Sequence, residues 1–324
     1  MLSDPTTSQS TATATVPRRW RSRETVATVS GSPAITRRHL QVALGLLWLL
    51  DGALQAQPFM FTRGFATQVI AADGQGQPGF VAGPIDWVAN VIAAHPVAWN
   101  VPFAAIQLLL GVGLLVPRTA RLTLAVSIAW ALGVWYLGEG LSGLASGHAS
   151  LITGAPGSAL LYAVLAAAAW PGRKGSRENP APWLPFAWAA VWVGGAVFQA
   201  LPGQNSGTAI ASALTSGTAG TASWLASLDN SLGGWAAHDG LLAVILLVSM
   251  EVLIGVGALA RATRTAAVTL GVAVTLAIWV LGQQVGALHS GQATDPNSGP
   301  ALVLMAVALL GVQRGSAPAP ERGS

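Results

Sequence analysis

The stretch Gly240–Gly282, GLLAVILLVSMEVLIGVGALARATRTAAVTLGVAVTLAIWVLG, decides the fold of this chain. It contains two apolar runs, 239 to 260 and 264 to 282, separated by a short turn that carries Arg261 and Arg264. An α-helix needs about 20 apolar residues to cross the hydrocarbon core of a bilayer. The stretch therefore predicts two transmembrane helices joined by a tight basic turn.

Six further apolar runs flank this pair, at 40 to 56, 97 to 116, 120 to 138, 156 to 171, 183 to 201 and 299 to 313. Fifteen of the sixteen Lys and Arg residues lie before the first run, after the last one, or in every second gap between runs. Loops that stay in the cytoplasm carry an excess of Lys and Arg. The pattern predicts eight transmembrane helices with both chain termini in the cytoplasm, and Arg63 alone on the exterior side.

The composition is typical of a membrane protein. Hydrophobic residues make up 52% of the chain and charged residues only 9%, whereas soluble domains carry about 25% charged residues. The basic residues lie at loop ends and form no continuous basic face, so nucleic-acid binding is not predicted despite a pI near 10.6. The exterior segments are acidic, and the absence of cysteine excludes thiol and disulfide chemistry by this chain.

The chain contains an internal repeat with a spacing of 144 residues. The matching stretches are Trp48–Gln55 with Trp192–Gln199, Gly111–Gly113 with Gly255–Gly257, and Trp135–Glu139 with Trp279–Gln283. Each copy holds four apolar runs, and because four is an even number, both copies enter the bilayer in the same orientation. We therefore predict an all-α integral membrane protein whose eight transmembrane helices form two tandem parallel four-helix repeats.

The predicted organisation is a disordered basic cytoplasmic tail at 1–39, a first four-helix repeat at 40–172, a cytoplasmic linker at 173–180, a second four-helix repeat at 181–313 and a cytoplasmic tail at 314–324. The first tail is rich in Ser, Thr and Arg without apolar periodicity, which is typical of disorder. An export signal is the alternative, because Thr36–Gln41 resembles a twin-arginine motif. Asp51 in the following run, and the recurrence of that run as the fifth helix, argue against cleavage.

Two carboxylates, Asp51 and Glu251, lie inside predicted spans. Acidic residues are costly in lipid and are usually functional there. No Lys or Arg lies deep within a span, so the available partners are protons, cations or the neutral side chains of Gln55, Gln107 and Gln199. Gln107 is the repeat counterpart of Glu251. Two interpretations stay open: an interhelical polar cluster, or a site for a proton or a ligand.

The exterior side collects Glu139 and four histidines, His95, His148, His238 and His289. Imidazoles beside carboxylates can bind a divalent metal or haem, or can sense pH. No two of these histidines have the i, i+3 or i+4 spacing of a helical metal site. The metal therefore stays unassigned, and interfacial hydrogen bonding is the alternative interpretation.

Two motifs of the four-span unit carry a family resemblance: LGLLWLLDG at Leu44–Gly52 and GVGLLVPR at Gly111–Arg118. The unit resembles the DoxX-like group of small membrane proteins, here duplicated. WYLGEGL at Trp135–Leu141 and TGAPG at Thr153–Gly157 are similar to stretches of polytopic proteins from high-GC Gram-positive bacteria. The DoxX-like resemblance implies an accessory membrane subunit near quinone-linked or thiol-stress redox chemistry. This chain lacks the Cys pairs of the redox-active relatives.

The sequence thus predicts a non-enzymatic integral membrane subunit or scaffold of a cell-envelope complex in the bacterial plasma membrane. Two alternatives stay open. One is a transporter or channel for a small solute or proton that uses Asp51 and Glu251, and the other is a membrane oxidoreductase with bound quinone or haem. The expected partners are the lipid bilayer and other membrane or exported proteins, not nucleic acid. The sequence predicts no cofactor and no catalytic residue, and it leaves the oligomeric state open.

Overall fold

The computed structural model describes residues 35–172, 179–218 and 221–314, and within these ranges every regular element is helical. Its α-helices are α1 Arg37–Gln55, α2 Ala71–Asp73, α3 Gly79–Ala94, α4 Pro96–Leu115, α5 Ala120–Leu137, α6 Ser158–Ala168, α7 Leu184–Gln199, α8 Gly207–Thr215, α9 Ser223–His238, α10 Gly240–Gly257, α11 Arg264–Val280 and α12 Ser298–Arg314. Short 3-10 or π segments lie at Pro58–Phe61, Phe65–Ile70, Gly140–Gly143, Leu151–Thr153 and Gln284–Ala287. Most of the two predicted tails and of the predicted linker lies outside the described residues.

The helices α1, α4 to α7 and α10 to α12 lie on the eight apolar runs of the sequence. Among the described residues, three helices, α4, α5 and α10, are long and apolar enough to cross a membrane. Their outward side chains are apolar yet exposed: Leu109, Leu122 and Leu241 are 70%, 72% and 77% exposed. Extended exposed apolar surface marks contact with lipid or with another protein. These helices indicate a membrane protein.

Arginine side chains bind the ends of two of these long helices. The last carbonyl groups of a helix have no partner within the helix. Arg38 Nη1 donates to the carbonyl oxygen of Leu114 at 2.8 Å, at the end of α4. Arg264 Nε donates to the carbonyl oxygen of Ala258 at 2.7 Å, at the end of α10. The second arginine of the twin-arginine-like motif therefore has a structural partner.

Small residues bring the helices of each half close together. In the first half, α1 to α6, a Cβ on Gly111 of α4 would lie only 2.8 Å from the carbonyl oxygen of Gly45 of α1. In the second half, α7 to α12, a Cβ on Gly255 of α10 would lie 3.2 Å from the carbonyl oxygen of Ala189 of α7. Helices in a bilayer associate through close packing at small residues, because their apolar side chains already contact apolar lipid and gain no hydrophobic free energy by burial.

The two halves meet through α6 and α12, which pack on each other. Helix α6 has only 11 residues, of which eight are buried and none is exposed. One hydrophobic core runs through both halves and contains Leu161, Leu165, Met305 and Leu309. A helix that is covered by protein can be shorter than the bilayer is thick. The non-helical backbone that precedes α6 can lie within the hydrocarbon region for the same reason, because protein shields it from lipid.

Candidate functional site

A cavity of about 830 Å³ lies in the first half, between α1, α4, α5 and α6. Small-molecule sites usually have volumes of about 300–1,000 Å³. The wall carries four carboxyl side chains, Asp51, Asp73, Glu139 and Asp295, and no described Lys or Arg. Its aromatic part is formed by Trp48, Phe65, Phe103, Trp130 and Tyr162. We call this space the acidic cavity.

Asp51 enters the acidic cavity from α1. Leu44, Trp48, Asp51 and Gln55 have the spacing that places side chains on one face of a helix, and all four are buried. Asp51 is only 3% exposed, and its Oδ1 accepts a hydrogen bond of 3.3 Å from the Tyr162 hydroxyl of α6. The Tyr162 ring meets the Trp48 ring edge-on, with centroids 5.1 Å apart. The carboxyl group is thus held by neutral partners.

Gln55 and Asn100 join the end of α1 to the start of α4. The Asn100 side chain donates to the carbonyl oxygen of Gln55 at 2.8 Å, and the Gln55 side chain donates back to Asn100 Oδ1. Two helical turns further along α4, Gln107 reaches the acidic cavity, where its Oε1 has no hydrogen-bond partner. Gln77 Oε1 and Trp130 Nε1 are also unpartnered atoms of residues that line the cavity. Buried polar atoms without a partner are rare and call for an explanation.

Glu139 occupies the N-terminus of α6. Its Oε1 accepts from the Ser158 hydroxyl at 2.7 Å and from the Ala159 amide at 3.0 Å, which satisfies donors that the first turn leaves free. Gly157, with φ of 105°, allows this approach, because a Cβ there would lie 2.1 Å from Glu139 Oε2. The pKa of Glu139 is raised to about 8, first by burial and then by the charge of Asp295, with a smaller contribution from Asp73, against the lowering effect of the two hydrogen bonds.

Asp73 and Asp295 complete the acidic wall. Burial, followed by the charge of Asp295, raises the pKa of Asp73 to about 7. Asp295 comes from the loop before α12, so the second half supplies a carboxylate to the cavity of the first. Its Oδ1 accepts from the Asn297 amide at 2.7 Å, which orients the carboxylate. The side chain of Gln57 donates to the carbonyl oxygen of Ala293 at 3.4 Å and so holds the same loop against the first half.

The loop between α5 and α6 reaches into the second half, where the Leu151 side chain lies against Gly195 of α7. At the 144-residue spacing, Gly195, Glu251 and Gln283 correspond to Asp51, Gln107 and Glu139. A Cβ on Gly195 would lie 2.5 Å from Leu151 Cδ1 and 3.5 Å from the Glu251 carboxyl carbon. The Gln283 side chain donates to the carbonyl oxygen of Leu151 at 3.1 Å. The segment Leu151–Thr153 also packs on α8 and α11.

The loop before α6 and the loop before α12, each of which reaches into the other half, contain the same type of serine turn but carry different side chains. Ser150 Oγ accepts from the Ile152 amide at 3.2 Å, and Ser290 Oγ accepts from the Gln292 amide at 3.0 Å. The residue after the serine is Leu151 in one loop and Gly291 in the other. The Leu151 side chain lies against Gly195 of the second half, whereas Gly291 is exposed, lies near Gln57 and is not part of the wall of the acidic cavity.

The structure brings together several of the candidate residues and separates others. Asp51, Gln55, Gln107, Glu139 and His148 line the acidic cavity. Glu251, 1% exposed, and Gln199 lie in the second half, and the Gln199 side chain donates to the Gln204 carbonyl oxygen. His95, His238 and His289 are exposed and do not line the cavity. Among the described residues, no three His, Cys, Asp or Glu side chains are placed to hold a metal ion.

Sequence reasoning did not select Asp73, Asp295 and Tyr162 as site residues. Asp73 and Asp295 are two of several acidic residues in exterior loops, and nothing local distinguishes the two that face the cavity. Tyr162 carried a usable signal, because it is one of only two tyrosines and lies in an otherwise apolar run.

Glu139→Gln is expected to flatten the dependence of stability on pH. The pKa of Glu139 is raised from 4.5 to about 8, so the folded state holds this proton more tightly than the unfolded state, and stability falls as the pH rises between these values. Glutamine keeps an acceptor for Ser158 and Ala159 and copies Gln283 of the second half. Thermal unfolding of the purified protein at pH 5 to 8 measures the effect. If the unfolding temperature changes with pH equally in the native protein and the variant, the prediction is wrong.

No family model matches the chain, and neither the curated proteins nor the solved structures contain a match.

Proposed function

We propose that this chain is an eight-span protein of the bacterial plasma membrane that binds a small solute in the acidic cavity, from the exterior side. The observation that carries the proposal is a cavity of about 830 Å³ whose four carboxyl groups have no described Lys or Arg beside them. Gln107, Gln77 and Trp130, which line this cavity, each keep a buried polar atom without a hydrogen-bond partner, and such atoms call for an explanation.

The proposed topology rests on the Lys and Arg pattern and on the helices that occupy all eight apolar runs. It places the end of α1, the start of α4, the end of α5 and the start of α6 on the exterior side. The acidic cavity lies at these helix ends. Solute would therefore enter from outside the cell.

The proposed tandem repeat is supported by local geometry that recurs in the two halves. Residues 140–143 have φ values of 54°, 54°, 52° and 79°, and residues 284–287 have values of 52°, 57°, 67° and 52°. Four successive residues in the left-handed region are unusual, because this conformation is strained for side chains with a Cβ. Trp135 Nε1 donates to the Pro156 carbonyl oxygen at 2.7 Å, and Trp279 Nε1 donates to that of Pro296 at 2.7 Å.

Single cysteines test the proposal directly, because the native chain has none. Gly133→Cys, in the α5 part of the cavity wall, and Ser146→Cys, in the loop part of the wall, are expected to react with a membrane-impermeant maleimide on intact cells. Leu122→Cys, on the outward apolar face of α5, and Arg118→Cys, in a predicted cytoplasmic turn, should not react. Labelling of Ser146→Cys only after the membrane is opened would overturn the orientation. Failure of Gly133→Cys to react under either condition would mean that water does not reach the cavity.

The role implied by the DoxX-like resemblance, a non-enzymatic subunit of a redox-associated envelope complex, is a second proposal. Phe80 and Trp87 of α3 are 66% and 68% exposed and offer an aromatic surface to lipid headgroups or to a membrane partner. Co-purification from native membranes would identify such a partner. Visible and ultraviolet absorbance of the purified protein would test the alternative of a bound haem or quinone.

A further inference from the structure

We propose that the solute of the acidic cavity is a small organic amine in its protonated form, with its ammonium group paired with Asp51. The inference rests on the proposed function, because it names the class of solute that the same cavity binds.

The charges of the wall favour a cation. Asp51, Asp73, Glu139 and Asp295 surround one space, and the charge of Asp295 raises the pKa of both Asp73 and Glu139. Carboxylates this close disfavour each other's ionised form until an opposite charge arrives. A cationic solute removes the repulsion, whereas an anionic solute would add to it.

The geometry favours an organic cation over a bare metal ion. The carboxyl groups are spread around the wall, and among the residues described no three acidic or histidine side chains converge on one point. Trp48, Trp130 and Tyr162 line the same cavity. Aromatic faces attract an ammonium group within about 6 Å of the ring centre. An ammonium group on an organic body suits both the dispersed charges and the aromatic wall.

The unpartnered amide oxygens of Gln107 and Gln77 also suit an amine. Gln107 is only 7% exposed, yet its Oε1 accepts no hydrogen bond. The Oε1 atom of Gln77 also accepts no hydrogen bond. Both atoms are acceptors, as are the four carboxylates. An ammonium group carries three donors and no acceptor. The amide oxygens provide an indication independent of the acidic cluster, because they are neutral and do not depend on ionisation.

Amine binding is expected to strengthen as the pH rises from 6 to 9. The groups that face the cavity are Asp51 from α1, Asp73 from α2, Glu139 after α5, Tyr162 from α6, and His148 and Asp295 from loops; α4 contributes only the neutral Gln107. The pKa values of Asp73 and Glu139, about 7 and about 8, mean that both carboxyls lose protons over this range. An alkylamine stays protonated to a pH of about 10, as a lysine does. Binding below pH 8 should release protons.

Isothermal titration of the purified full chain with three probes tests the inference. The probes are phenethylamine, its neutral analogue 2-phenylethanol, and the anion 3-phenylpropanoate. We expect phenethylamine to bind at least tenfold more tightly than either analogue. Titrations in two buffers of different ionisation enthalpy should show proton release at pH 7, with less at pH 9.

Matched variants separate a local site from a general charge effect. Asp51→Asn should weaken phenethylamine binding at least tenfold. Asp86→Asn should change it less than twofold, because Asp86 is an exposed acid outside the cavity. Equal affinity for the amine and the alcohol, equal effects of the two variants, or absence of amine binding would each overturn the inference. If Gly133→Cys is still labelled from outside, the proposed function survives that result and only the amine is wrong.

Discussion

Replacing Leu151 with alanine is expected to destabilise the protein by about 2–5 kcal/mol, the range for a buried leucine that leaves a cavity. Leu151 is 4% exposed and fills the space between Gly195, Glu251 and Gln283. The neighbouring backbone cannot easily collapse into the gap, because Gly282 already lies against Ile152, where a Cβ would be 2.4 Å from the Ile152 side chain. The loss should appear as a lower thermal unfolding temperature of the purified protein.

Leu241→Ala provides the matched control, since Leu241 belongs to the half into which the Leu151 side chain packs and is 77% exposed. We expect this control to change stability by less than about 0.5 kcal/mol, as for most surface substitutions. Equal losses in the two variants would show that Leu151 does not fill a tightly packed space. Phenethylamine binding should survive Leu151→Ala, because the Leu151 side chain packs against Gly195 and does not line the acidic cavity.

The second large effect is a gain in stability of about 1–3 kcal/mol when Glu251 is replaced by methionine, the range that a buried unsatisfied polar group costs. Glu251 is 1% exposed, and its Oε2 has no hydrogen-bond partner. Methionine has a similar length and adapts to irregular space. Thermal unfolding of the variant and of the native protein measures the change.

Glu251→Gln separates the carboxylate from the shape of the side chain. Glutamine copies the repeat counterpart Gln107, so we expect normal folding and unchanged phenethylamine binding. A loss of stability in Glu251→Met, together with loss of solute binding in Glu251→Gln, would contradict the structural role. Such a result would make Glu251 a second functional carboxylate, as the transporter hypothesis from the sequence expects.

The sequence indicated the positions of the main helices well. The runs at 97 to 116 and 264 to 282 differ from α4 and α11 by two residues or fewer at each end. Such runs are local signals, because a stretch of apolar residues that ends at an arginine or a glycine needs no distant contact to be recognised. The exterior segments were predicted less completely, because none of the eight predicted spans includes α3 or α9.

The candidate site was predictable only in part. Asp51, Gln55 and Gln107 stood out because polar side chains are rare within apolar runs. Glu139 was expected on an exterior face with histidines, and its hydrogen bond to the N-terminus of α6 was not predicted. Nothing in the sequence indicates that the Asp295 side chain lines the same cavity as these residues.

The sequence by itself determined the helical class, the length of each apolar run and the candidate carboxylates, because hydrophobicity and charge are properties of neighbouring residues. Tertiary structure alone decided which carboxylates share a cavity. The loop that carries Asp295 crosses to the first half, and the loop that carries Leu151 crosses to the second. Whether a space stays open depends on the volume of a side chain contributed from far along the chain, so an open acidic cavity beside Asp51 and a filled space beside Glu251 follow from packing.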